Sequence, residues 1–143
     1  MQKWVKEIGE LGACSDALKW ADNYSSLKEA WAVCERGDWM LWLVGKLSGK
    51  PSSEKRKKLV LVSCQCARLA LPYVKKGEDR PLKAIETAEA WARGENDIKL
   101  KDVKDAATAT AAAYAATTTQ ISTLKKCADI VRQYYKSPPG KAN

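Results

Sequence analysis

Three cations and three indoles carry most of the chemistry open to this chain. Arg68 sits inside an apolar stretch, between Ala67 and Leu69, where a positive charge is costly unless it is paired or lines a cleft. Arg80 and Lys83 stand one turn apart where a helix begins, and free backbone amides beside cations suit phosphate or carboxylate. Trp39, Trp42 and Trp91 offer faces on which a flat ring can stack. Together with Lys57 and Lys58, these side chains would make a basic pocket for a flat anion of nucleotide type. The guanidinium groups would hold phosphate and the indoles the base. Each residue also has a structural reading. Arg80 can pair with Glu78, Asp79 or Glu86, and Arg68 with Glu86 or Glu89. Tryptophan at helical spacing readily fills a core. Glu86 and Glu89 share a helix face, which suits acid–base work or a solvated stripe equally well.

Two absences narrow the field. The 143 residues include no His and no Phe, while Trp and Tyr number six and five. Without imidazole there is no Ser-His-Asp or Cys-His arrangement, no acid or base of that type near neutral pH, and no His ligand for zinc. The expectation is a binding protein with no cofactor and no metal, and not an enzyme. The five cysteines are Cys14, Cys34, Cys64, Cys66 and Cys127. An odd number, with no signal peptide read at the start, points to a reducing compartment and hence to the cytoplasm. Cys64 and Cys66 would point to different sides of a helix and read as small core residues. No apolar run approaches the ~20 residues that a membrane helix needs.

Charge is unevenly placed along the chain. The net charge is +8; residues 1–44 balance at −2, residues 45–76 at +8 and residues 77–143 at +2. The middle therefore carries the excess and should attract anions. Its densest run, Lys55-Arg56-Lys57-Lys58, falls near a helix N-terminus, where positive charge opposes the macrodipole. Solubility or an anionic partner would provide a counterweight.

These residues must be positioned by helices. The pattern predicts a helix over 2–8, another over 15–22, and a third opened by Ser26 with Glu29 as a capping box and closed at Gly37. Asp38 should cap a segment from Trp39 to Leu47 that is apolar nearly all round and therefore central. Ser48 to Ser53 reads as a loop, and Ser53 caps a long helix reaching Leu71, ended by Pro72. A further helix runs from Arg80, with Pro81 in its first turn, to Gly94. The Ala/Thr-rich stretch predicts a long helix from about 100 to 117, and a final helix carries Ile121, Leu124, Ala128, Val131 and Tyr135. The expected architecture is all-α: a compact bundle of about seven or eight helices forming one domain over 1–136, with a disordered tail over 137–143. Small side chains permit close packing within one chain or between subunits, which leaves a homo-oligomer open. Trp-Ala recurs at 20–21, 31–32 and 91–92, which reads as tryptophan filling helix crossings beside alanine.

Several blocks carry a resemblance. They are Gly12-Ala13-Cys14, the stretch from Glu29 to Leu43, Cys66 to Leu71, Glu78 to Pro81, and Ala84 to Ala92. Together they resemble the Imm-5-like immunity protein family of bacteria and phages. The resemblance implies a role in bacterial conflict, neutralising a toxin or immune effector by binding. Two functional expectations stand, the first resting on the basic segment, the Trp and Arg content and the missing catalytic groups, the second on the resemblance. One is sequestration of an anionic, nucleotide-type immune signal in a basic pocket. The other is a protein–protein inhibitor of a cognate toxin or effector. Direct nucleic-acid binding is the weaker third, because the basic run is short and no known nucleic-acid module is present.

Overall fold

In the computed structural model, residues 1–105 and 121–140 are described. Within them the chain is all-α, with α1 at Lys3–Glu10, α2 at Ser15–Ala21, α3 at Leu27–Val33, α4 at Gly37–Leu47, α5 at Glu54–Arg68 and α6 at Arg80–Arg93. Residues 100–105 are helical and are labelled α7, and α8 spans Ile121–Tyr134. The expected long Ala/Thr-rich helix falls mostly on residues outside the described ones, as does part of the expected tail.

Local chemistry sets the boundaries. Ser26 Oγ accepts from the Glu29 amide at 3.2 Å, and the Glu29 carboxylate accepts from the Ser25 amide at 2.9 Å. The box thus closes one residue earlier than its usual form. Ser53 caps α5 by accepting from the Arg56 amide. Gly94 ends α6 in the left-handed conformation that glycine adopts without a Cβ clash. Two boundaries differ from expectation. Helix α3 stops at Val33, and Gly37 opens α4 instead of closing α3. Asp38 therefore sits inside the first turn, where its carboxylate pairs with Arg36 rather than capping. Helix α5 ends at Arg68, and Leu71–Tyr73 form a separate 3-10 turn around Pro72.

The core joins α3, α4, α5 and α8 through Trp31, Met40, Leu43, Val44, Leu59, Val62, Cys66, Cys127, Ala128 and Val131. Helix α6 packs against α5. Gly37 is what lets α4 approach α8: a Cβ there would overlap the Cys127 side chain and the Ala128 backbone nitrogen. Cys64 and Cys66 are both buried but meet different neighbours, the Ile85 and Cys127 carbonyls respectively.

The basic run finds its counterweight here. Arg56 Nη2 donates to the carbonyls of Gly45 at 2.9 Å and Gly49 at 3.2 Å. Lys58 Nζ donates to Tyr134 O at 3.1 Å and lies over the Tyr135 ring. Arg132 donates to Trp31 O and Cys34 O. Each cation meets the open carbonyl end of another helix, α4, α8 and α3 in turn, where positive charge is favoured. Two of the four cations at the start of α5 thus serve the ends of its neighbours.

Candidate functional site

Helices α1 to α4 do not close completely on one another. They surround a cavity of about 460 Å³, a size that suits a small ligand. Trp4 and Ile8 come from α1, residues 12–14 from the following turn, Trp20 from α2, Trp31 from α3, and Trp39 and Trp42 from α4. Five of the six tryptophans thus line one space. The spacing has a local origin. Trp39 and Trp42 are three residues apart on one helix face. Trp20 is followed by the buried Ala21, and Trp31 is preceded by the buried Ala30.

The rings have order. Trp20 and Trp39 lie 5.8 Å apart and tilted by 54°, and Tyr24 lies 4.8 Å from Trp20. Trp31 is fixed by an Nε1 hydrogen bond of 2.8 Å to Tyr135 O, and Trp4 by one of 3.3 Å to Gln2 Oε1. The indole N–H groups of Trp20, Trp39 and Trp42 have no hydrogen-bond partner among the described residues.

One polar edge faces this aromatic wall. Arg36 donates through Nε and Nη2 to the two oxygens of Asp38, at 2.9 and 2.7 Å, and its guanidinium lies 4.3 Å over the Trp39 ring. Burial works to raise the Asp38 pKa, but the Arg36 fork and nearby amides outweigh it and hold the carboxyl below its ordinary value. The edge is therefore a neutral pair at physiological pH. It presents donors and acceptors side by side and carries no net charge. Burial pushes the Cys34 thiol up, which disfavours its thiolate.

Trp39 and Trp42 are the members of the sequence-derived set that line this cavity. Arg68 lies instead at the α5–α6 contact, paired with Glu89 at 2.5 Å. Arg80 forks onto Glu78 at 2.6 and 2.8 Å, and Lys83 pairs with Asp79 at 3.0 Å. Trp91 is buried in α6. Lys57 pairs with Glu54 at 3.6 Å, and Lys58 takes the end of α8. The five cations do not converge on the indoles. Reasoning from sequence missed Trp4, Trp20, Trp31, Arg36 and Asp38. The available signal was the Trp-Ala recurrence, which marked two of these rings as sitting at helix crossings. Among the described residues no group of acidic and cysteine side chains could hold a metal, and no helix is long and apolar enough to cross a membrane.

A family described as "Imm-5 like putative immunity protein" matches residues 49–138. No curated protein and no solved structure matches the chain. The match begins after Leu43, the last cavity residue, and takes in most of the basic stretch. The resembling blocks at 12–14 and 29–43 lie outside it.

Proposed function

The chain belongs to the Imm-5-like immunity protein family, and from that premise we propose that it neutralises a protein toxin or effector by stoichiometric binding, without a chemical step, in the cytoplasm of a bacterial host. One observation carries the reading. The whole positive excess lies in residues 45–76, and the family match begins at residue 49. Arg56, Lys57 and Lys58 are engaged by the fold itself. The side chains of Lys50 and Lys55 are exposed and make no ion pair with described residues. They are left to meet an acidic surface, which they would attract from a distance and orient on contact.

The test is co-expression with toxins or effectors encoded beside the gene, followed by binding kinetics on the pair that is neutralised. Reversing Lys50 and Lys55 to Glu should slow association by roughly tenfold at low salt and much less at high salt. Equal association rates for the two proteins would remove the basic face from the reading. A second reading, sequestration of a small nucleotide-type signal, is favoured by a different observation, the five-tryptophan cavity.

A further inference from the structure

We infer that the cavity between α1 and α4 binds the planar ring of a nucleobase or nucleoside, stacked on the indoles with its hydrogen-bonding edge on Arg36 and Asp38. The inference deepens the sequestration reading and rests on it. It is independent of the basic face proposed to meet a protein.

Three features select this ligand class. The first is shape. Protein interiors are close-packed, whereas here five indoles share the wall of a cavity of about 460 Å³ that is open to solvent. Trp20 and Trp39 are tilted by 54° and are not stacked face to face, so the pair does not fill the space between them as a closed stack would. Base–indole stacking is strong and tolerant of sequence.

The second is the edge. A guanidinium has five N–H donors. Two are used on Asp38, which leaves three without a partner among the described residues. Asp38 still has acceptor capacity, because a carboxylate offers about four lone-pair sites. Trp20, Trp39 and Trp42 line the same cavity, and their indole N–H groups have no hydrogen-bond partner among the described residues. An aliphatic ligand that covered the Arg36–Asp38 edge would strip its water and offer no partner in exchange. A nucleobase carries alternating donors and acceptors on one planar edge and can answer both groups.

The third is charge. A quaternary ammonium, the usual guest of an aromatic cage, would meet the Arg36 guanidinium already lying over Trp39. A polyphosphate would find Arg36 as the lining cation, already neutralised by Asp38. The ring is therefore what the site recognises, and any phosphate points outward.

The test is a titration of the intact protein with adenosine, guanosine, cytidine and uridine, followed by tryptophan fluorescence and calorimetry at low and physiological salt. At least one nucleoside should quench the indole emission to saturation with one site per chain. Its affinity should change little with salt. Trp39→Leu should weaken it by roughly tenfold or more, and Asp38→Asn should change which nucleoside binds best. Circular dichroism checks that each variant is folded, and Trp42→Leu serves if Trp39→Leu is not. Absence of saturable quenching by all four nucleosides, or binding that survives both tryptophan substitutions, overturns the inference. So does an affinity that falls steeply with salt. The two readings fail separately. Trp39→Leu should leave toxin neutralisation intact, and the Lys50 and Lys55 reversals should leave nucleoside binding intact.

Discussion

Replacing Gly37 with Ala should destabilise the protein, although alanine is ordinarily the better helix former. Gly37 occupies the first position of α4. On propensity alone the substitution would gain up to about 0.5–1 kcal/mol, as it does in a helix interior. The tertiary contact reverses that sign. A Cβ at this position would lie 2.5 Å from Cys127 Cβ and 2.6 Å from the Ala128 backbone nitrogen, and would also overlap Cys127 Sγ. A flexible side chain could rotate away, but the backbone of α8 cannot, so the two helices must separate. Overpacking of this kind costs typically 1–3 kcal/mol, and the rigid neighbour puts this case near about 3 kcal/mol. For a domain of this size that is a fall of roughly 6–12 °C in Tm. Gly45 is the internal control. It lies on the same helix, and an added Cβ would meet Arg56 and Leu59 at 3.6 Å, ordinary contact distances. Gly45→Ala should therefore be neutral or stabilising by up to about 1 kcal/mol. Urea denaturation followed by circular dichroism reads both variants in one assay. A Gly37→Ala protein as stable as the parent would refute the close approach of α4 to α8.

Two further outcomes can be checked. Arg80 holds the Glu78 carboxyl down to about 2, against an ordinary 4.5. A depressed carboxyl stabilises the fold above its ordinary pKa, and that share is lost as pH falls through the folded value. The contribution should therefore fade between about pH 4.5 and 2, and Glu78→Gln should flatten the acid-unfolding curve in that window. Among the thiols Cys14 is exposed, and the other four are buried. Burial pushes Cys64 up to about 11, and a hydrogen bond with Cys127 together with burial pushes Cys66 up. A disulfide reagent should thus titrate one fast thiol in the native protein and five after unfolding. Two fast thiols would contradict the burial of Cys34, Cys64, Cys66 and Cys127.

The helices were legible because their signals are local. Ser26 with Glu29, Ser53, Pro81 and Gly94 each act within one turn of their own position, and each marks an end close to where the periodicity predicts it. Gly37 was misread because a glycine after a helical run resembles a terminator. Its actual role depends on α8, some ninety residues away in sequence. The same limit governs the site. Arg68, Arg80 and Lys83 looked like an anion trap because their residue types suit one, and their pairing with Glu89, Glu78 and Asp79 was already among the readings the sequence allowed. Trp39 and Trp42 were recognised as a stacking surface because they share a helix face.

By itself, then, the sequence determined an all-α chain with a basic middle and no imidazole chemistry, since composition and near-neighbour spacing suffice for both. Only the tertiary structure decided that Trp4, Trp20 and Trp31 join Trp39 and Trp42 around one cavity edged by Arg36 and Asp38. It also decided that Arg56 and Lys58 serve the carbonyl ends of α4 and α8. Those facts depend on how the helices cross. Crossing is set by packing between residues far apart in the chain, which no local pattern encodes.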